Sequence, residues 1–213
     1  MIFYRVTRVC DTPSGIYCDF TPENECGESG EAINLLVPIS SYYDAHLREG
    51  KVISDECFEE IYELSGIAEA QKKAEWILSG GDHSKKQLVL KLVRADIDRR
   101  YAEKAALLME ERGFIDEYSQ AERIAKGYCR RKYWGKKRIT AELMAKGYER
   151  DAVFAAVAFI TPEEYKSSLL TVIERKYPTP PEDKREKDRR IAALIRLGYS
   201  ISEISEAFRE SYK

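Results

Sequence analysis

The chain has 213 residues, of which 35 are basic and 37 are acidic, and its formal net charge is −2 at pH 7. That length allows a real buried core, and the near-neutral charge argues against a protein that coats nucleic acid through its overall charge. The longest helical apolar run, residues 152–160, has nine residues and is too short for a bilayer. Residues 1–5 lack the pattern of a secretory signal. We therefore expect a soluble, cytoplasmic protein without membrane contact.

Clusters of chemically reactive residues are sparse in this sequence. Five cysteines, an odd number, favour free thiols. Cys10, Cys18 and Cys26 are spaced by eight residues without a CxxC motif or a Cys/His pair, so we expect no metal site. The sequence contains no Ser/His/Asp set, no phosphate-binding glycine loop and no paired carboxylates in a plausible pocket. We expect no catalytic residue, no cofactor and no enzymatic activity.

The first 40 residues have the composition of a small β-sheet. Residues 2–9, 16–20 and 32–38 are rich in β-branched and aromatic residues, and a turn cluster at 11–15 and a polar loop at 21–30 separate them. They predict about three antiparallel strands, which need a covering partner to be stable.

Helical patterns follow this region. Residues 40–49 predict a short helix closed by Gly50, and Ser54 is a good N-cap for a helix that ends near Gly66. From there to the C terminus the helical periodicity is nearly continuous and predicts no further strand.

The helical part repeats at an interval of 51 residues. Residues 143–148 match residues 194–199, and the same interval upstream leads to residues 92–97, where Asp96 replaces the turn glycine. A fixed interval of this size indicates an array whose units bury their faces against neighbours. Amphipathic helices could also align by chance, but a shared turn at one interval in three copies argues against this alternative.

The predicted fold is therefore mostly α. It consists of three tandem three-helix repeats in an elongated array, preceded by a small N-terminal antiparallel β-sheet with one or two helices. The first helix of each repeat is expected at 67–78, 117–131 and 162–176. The predicted domains are 1–65 for the N-terminal region, 66–114 for repeat 1, 115–161 for repeat 2 and 162–213 for repeat 3.

The loop between the first two helices of repeat 2 is the main candidate for partner binding, because six cations occur there within nine residues. Such a cluster either complements the dipole of a helix end without a partner or contacts an acidic protein surface or the DNA backbone. The aromatic pair inside it either packs into the core or stacks on a partner. Two lysines occupy the equivalent loop of repeat 1. The candidate residues are Arg130, Arg131, Lys132, Tyr133, Trp134, Lys136, Lys137, Arg138, Lys85 and Lys86.

Two neighbouring patterns have structural interpretations. The run Lys184 to Arg190 lies in the corresponding part of repeat 3, and its mixed charges favour a solvated face. The pair His83 and Ser84 is typical of a helix start rather than of a catalytic site, and Ser84 is predicted to cap the helix that follows it.

Three segments resemble the RecX family. Residues 77–88, with the sequence ILSGGDHSKKQL, resemble the family's helix end, His-Ser pair and new helix. Residues 111–118, ERGFIDEY, are similar to its link between the first two repeats. Residues 138–147, RITAELMAKG, resemble its middle repeat. The resemblance covers roughly residues 66–208 and is weaker in the third repeat, which carries the insertion Pro178 to Pro181.

The resemblance implies a function that composition alone does not. RecX proteins bind the RecA recombinase, lie along the groove of its nucleoprotein filament and limit its growth, ATP hydrolysis, strand exchange and repressor co-cleavage. We therefore expect a cytoplasmic regulator of recombination and DNA repair, a monomer whose partners are RecA and the RecA–DNA filament, with a weak DNA contact as an accessory. The alternatives are a DNA-binding regulator that uses one basic helical hairpin, and a helical scaffold for another protein. The acidic isoelectric point of about 5.9 favours the first and third over the second.

Overall fold

A computed structural model describes residues 2–26 and 28–212. The described residues form four strands and ten helices. The N-terminal elements are β1 (Ile2–Thr12), β2 (Gly15–Asn24), β3 (Ile33–Val37), α1 (Ile39–Asp44), β4 (Val52–Ser54) and α2 (Asp55–Ser79). The remaining helices are α3 (Lys85–Val93), α4 (Arg99–Glu111), α5 (Glu117–Lys132), α6 (Lys136–Ala145), α7 (Arg150–Ala158), α8 (Pro162–Lys176), α9 (Lys184–Arg196) and α10 (Ile201–Ser211). This confirms a mostly helical chain with a small N-terminal antiparallel sheet.

The sheet has the order β3-β2-β1-β4, and its neighbouring strands are antiparallel. Its buried face carries Val6, Cys18 and Phe20, which pack against Phe58 and Ile61 of α2. Helix α2 is thus the covering partner that such a small sheet needs.

Three expectations for this region were wrong in detail. A fourth strand, β4, pairs with residues 3–5 of β1, but three residues are too few for a period-two pattern. Strand β2 continues to Asn24, inside the predicted polar loop, because it stays paired with Ile2 and Phe3 in a long hairpin. Helix α1 stops at Asp44 instead of near residue 49, and His46 beyond it has a positive φ of 48°.

Helix α2 runs through Gly66, so the helix end expected there was wrong. Ser54 does cap this helix, since its side chain accepts a hydrogen bond from the backbone N–H of Cys57. A Cβ at Gly66 would lie 2.3 Å from a ring carbon of Tyr101 in α4. Glycine here allows close helix packing rather than a turn, and the helix crosses the position where we divide the N-terminal region from repeat 1.

The chain forms two compact units. One comprises the described residues of 1–83 with 88–114, and the other comprises 84–87 with the described residues of 115–213. The second unit has two core clusters. One is centred on Ile139, Leu143 and Val153, and the other on Leu169, Leu194 and Ile204.

The three turns related by the 51-residue interval each have a positive φ at the corresponding residue. Gly147 and Gly198 have φ values of 79° and 99°, and Asp96 has a φ of 62°. Aspartate tolerates the left-handed region better than most residues, so Asp96 takes the positive φ that glycine has in the other two turns. The division into three repeats is consistent with these turns and remains a proposal.

Candidate partner-binding loop

The basic loop, residues 130–138, begins at the end of α5. The last turn of α5 carries Arg130, Arg131 and Lys132, and the helix ends at Tyr133, which has a left-handed φ of 54°. Cations at this end complement the partial negative charge of the free carbonyl groups. These three residues therefore have a structural reason to be basic. Arg130 also pairs with Glu164 at 3.0 Å.

The other half of the basic loop lies at the opposite kind of helix end. Lys136 and Lys137 are exposed in the first turn of α6, where no acidic residue accompanies them. Cations near a helix N terminus oppose the macrodipole, at a cost of a few tenths of a kcal/mol. Within the described residues, neither lysine lies within 4 Å of a carboxylate. The fold therefore gains no visible stability from these two charges.

The aromatic pair packs into the protein. Trp134 is half-buried against the Ile139 cluster, with its ring centroid 4.7 Å from that of Tyr128. Lys132 Nζ and Arg138 Cζ lie 4.4 and 4.1 Å from the Trp134 centroid. These contacts occupy the indole and favour the packing interpretation over base stacking.

Tyr133 packs against the other cluster of the same unit, next to Leu169 and Leu194. Arg175 Cζ lies 5.3 Å from the ring centroid of Tyr133. The carbonyl oxygen of Tyr133 accepts a hydrogen bond of 3.0 Å from the Tyr199 hydroxyl. The pair thus joins the cores of predicted repeats 2 and 3.

The start of α6 is fixed by main-chain hydrogen bonds to the turn after α9. The backbone N–H of Gly135 donates to the carbonyl oxygen of Leu197 at 2.7 Å, and that of Lys137 donates to Gly198 at 3.2 Å. Arg138 Nη1 donates to the carbonyl oxygen of Arg196 at 3.1 Å. Arg138 is therefore held in place, whereas the side chains of Lys136 and Lys137 project from an anchored backbone.

The equivalent loop 51 residues upstream makes the corresponding contact. Ser84 Oγ donates to the carbonyl oxygen of Lys146 at 2.7 Å, and Ser84 and Lys146 correspond to Gly135 and Leu197. Ser84 also accepts a hydrogen bond from the backbone N–H of Gln87, which confirms it as a helix cap.

The two lysines of this upstream loop differ from each other. Lys85 is partly buried, and its Nζ lies 2.9 Å from Glu149 Oε1. Lys86 is exposed and, among the described residues, has no carboxylate within 4 Å. Only Lys86 resembles Lys136 and Lys137 as a cation without an ion-pair partner.

Glu117 is a structural residue of this site that sequence reasoning missed. It is 5% exposed, and its two carboxylate oxygens accept hydrogen bonds from the backbone N–H groups of Lys85 (2.8 Å) and Glu149 (2.7 Å). The available signal was an acidic residue in the first turn of α5, but that position alone does not indicate bridging between segments.

The third basic run was wrongly interpreted at one position. Arg190 is only 7% exposed, although its neighbours are mostly solvated. Its Nε and Nη2 both donate to Glu186 Oε1, and its Nη1 donates to the carbonyl oxygen of Thr179 at 2.6 Å and to the Tyr212 hydroxyl at 3.2 Å. Its position corresponds to Ile139 in repeat 2. The guanidinium thus ties the proline-rich insertion to α9.

The described residues contain no group of three or more His, Cys, Asp or Glu side chains that could hold a metal ion. No helix among them is long and apolar enough to cross a membrane. The basic loop is a positively charged surface whose backbone is held by hydrogen bonds.

Comparisons with known proteins identify relatives of this chain. No protein-family model matches it. It is 26% identical over 145 residues to the regulatory protein RecX of Clostridioides difficile (strain 630), covering 68% of each chain. It is also 26% identical over 135 residues to the regulatory protein RecX of Herbaspirillum seropedicae, covering 63% of this chain and 86% of the relative.

Two solved structures share the fold. The crystal structure of a regulatory protein RecX matches with a TM-score of 0.71 at 17% identity, over 95% of this chain and 99% of the other. The crystal structure of RecX from Lactobacillus salivarius matches with a TM-score of 0.61 at 19% identity, over 68% and 96%. The chain is thus similar in sequence to proteins named regulatory protein RecX, and it shares the fold of two solved RecX structures.

Proposed function

We propose that this chain binds the RecA recombinase and its nucleoprotein filament and limits filament growth, ATP hydrolysis, strand exchange and repressor co-cleavage. In this proposal the protein is a cytoplasmic monomer without enzymatic activity of its own. The observation that carries the proposal is the pair Lys136 and Lys137. They are exposed, oppose the dipole of their own helix and have no carboxylate partner among the described residues, so an acidic partner surface would give these charges a role.

The proposed contact extends beyond these two lysines. Arg131 and Lys86 are also exposed cations without a carboxylate partner in the described part of the chain. Arg130 and Lys85 are engaged in ion pairs with Glu164 and Glu149, which at a surface contribute only about 0–1 kcal/mol and are readily exchanged. Several weak contacts on one chain add through effective concentration, which suits a partner that is itself a repeating filament.

The proposed contact is testable by co-sedimentation with RecA filaments. Lys136→Glu with Lys137→Glu should weaken binding at least about tenfold, or ~1.4 kcal/mol, because both charges would then repel an acidic surface. The matched control is Lys184→Glu with Arg185→Glu, which reverses two exposed first-turn cations of α9. If both variants lost the same affinity for RecA filaments, overall charge would explain the loss. Unchanged binding of the Lys136→Glu, Lys137→Glu variant would refute the contact.

A DNA-binding regulator is the second candidate, because six cations lie within nine residues of the basic loop. It predicts a duplex complex without RecA, and a steep salt dependence that is lost when Arg130, Arg131 and Lys132 are changed to Ala. The packed positions of Tyr133 and Trp134 count against it, since each ring packs against a core cluster of the second unit. Gel shifts without RecA separate the two candidates.

A further inference from the structure

A groove in the N-terminal unit lies outside the basic loop and has a different composition. It occupies about 580 Å³ beside the segment between α1 and β4. We call it the tyrosine groove, and its lining residues are Tyr42, Tyr43, His46, Leu47, Arg48 and Lys51.

The walls of the tyrosine groove are aromatic. Tyr42 is half-buried against the sheet core, and the ring of Tyr43 stands edge-on to it, with centroids 5.4 Å apart and an interplanar angle of 80°. Tyr43 is 67% exposed, whereas Leu47 is 3% exposed. One tyrosine is thus rigidly seated, and the other presents most of its surface to solvent without contributing to the core.

The charge in the tyrosine groove is entirely positive. Among the described residues, Arg48 and Lys51 have no carboxylate within 4 Å, and no acidic side chain lines the groove. Glu49 turns away, accepting a hydrogen bond of 3.3 Å from the backbone N–H of Val9. His46 Nδ1 donates a hydrogen bond to the carbonyl oxygen of Asp44 at 3.0 Å, so this contact uses Nδ1 and not Nε2.

The backbone of the tyrosine groove is fixed before any ligand arrives. The N–H of Leu47 donates to the carbonyl oxygen of Tyr42 at 3.0 Å. Gly50 donates to the carbonyl oxygen of Val6 at 2.8 Å, and the N–H of Val6 donates back to Lys51 at 2.8 Å. The loop is therefore attached to β1 at its far end and to α1 at its near end, which lowers the entropy cost of binding.

We propose that the tyrosine groove binds a single-stranded nucleic acid, with a base stacked on Tyr43 and the backbone phosphates facing Arg48 and Lys51. Exposed aromatic rings beside cations are the combination that binds single strands without sequence preference. A duplex cannot offer an unstacked base to Tyr43. This binding is independent of the proposed action on RecA, because it requires no protein partner.

The test uses the full chain carrying Lys136→Glu and Lys137→Glu, so that these two lysines of the basic loop do not contribute, and a fluorescein-labelled oligo(dT) 15-mer measured by anisotropy. Tyr43→Ala should weaken binding about fivefold or more, since stacking supplies much of the affinity, and Arg48→Ala should weaken it and flatten the salt dependence. Tyr43→Phe, which keeps the ring, should bind like the parent. So should Tyr118→Ala, which removes a tyrosine that is 55% exposed on α5.

Photocrosslinking with 5-iododeoxyuridine oligonucleotides locates the contact directly. The expected crosslinks fall within residues 39–51. Crosslinks confined to other segments, equal affinity of parent and Tyr43→Ala, or tighter binding of a duplex of the same length would each overturn the proposal.

Discussion

Gly135→Ala tests how closely α6 approaches the turn after α9. Gly135 has φ −80° and ψ 170°, which alanine adopts freely, so the change introduces no backbone strain of its own. The added Cβ would lie 2.7 Å from both the carbonyl carbon and the oxygen of Gly198. These are main-chain atoms and cannot rotate away, so the helix start and the turn must move apart.

The expected loss follows from two effects. Overpacking of this kind costs roughly 1–3 kcal/mol. The separation also weakens the hydrogen bond from Gly135 to Leu197, which is 2.7 Å long and contributes about 1 kcal/mol. We therefore expect Gly135→Ala to destabilise the second unit by roughly 2–4 kcal/mol.

Urea unfolding measures this loss. The chain has two tryptophans, so a Trp76→Phe background leaves Trp134, which packs in the second unit, as the only indole reporter. Gly127→Ala in α5 of the same unit is the matched control, because a Cβ there would meet only the mobile guanidinium end of Arg131. A free energy of unfolding for Gly135→Ala within about 0.5 kcal/mol of the parent would refute the close approach.

Three further predictions concern other buried contacts. Arg190→Ala should lower the free energy of unfolding of the second unit by about 3 kcal/mol in urea, because Glu186 and the carbonyl oxygen of Thr179 would lose their hydrogen-bond donor. Gly66→Ala should cost about 2 kcal/mol in the first unit, because a Cβ would overlap the ring of Tyr101, and in a Tyr101→Ala background the cost should disappear. Burial raises the pKa of the Cys18 thiol from 9.0 to about 11. The folded state therefore holds the Cys18 thiol proton more tightly than the unfolded state. The thiol's contribution to the free energy of unfolding is complete below pH 9 and is lost as the pH rises toward 11. The pH dependence of urea unfolding should thus be shallower for Cys18→Val between these values.

Each of these predictions has a control. Arg189→Ala removes an exposed cation next to Arg190 and should change stability by less than about 0.5 kcal/mol. Equal effects of the two arginine variants would contradict the buried network. If Gly66→Ala still lowered stability in the Tyr101→Ala background, the loss would come from the helix itself and not from overlap with the Tyr101 ring. Cys26→Ser, at an exposed cysteine, should retain the parent pH dependence, and an unaltered slope in Cys18→Val would refute the role of the buried thiol.

Local signals in the sequence were sufficient for most of the fold. Ser54 and Ser84 cap helices as their spacing predicts, because capping depends on atoms within three residues. The turns at Gly147 and Gly198 are left-handed, as a glycine after a helical pattern indicates. These features involve only neighbouring residues and are therefore visible in the sequence.

Contacts between distant residues account for what the sequence did not reveal. Gly66 lies inside a helix because Tyr101, 35 residues away in the chain, needs the space. Arg190 is buried because the insertion supplies a carbonyl oxygen and Tyr212 a hydroxyl for its guanidinium. Residue type alone predicted a helix break at the first position and a solvated charge at the second.

The candidate site was predictable in composition but not in the roles of its members. The sequence indicates a cationic loop containing two aromatic residues, yet Arg138 is fixed by the carbonyl oxygen of Arg196 and Lys85 by Glu149. Only the structure distinguishes these engaged cations from Lys136 and Lys137. Burial and pairing depend on segments about 60 residues away in the chain, which no local pattern describes.

The DNA-dependent ATPase of RecA, measured with increasing amounts of this protein, tests the central claim most directly. The account predicts inhibition at substoichiometric amounts of protein. It also predicts that Lys136→Glu with Lys137→Glu shifts the inhibition to at least about tenfold higher concentration, or ~1.4 kcal/mol, while Lys184→Glu with Arg185→Glu inhibits like the parent. RecA ATPase and filament length that stay unchanged across the titration would contradict the account.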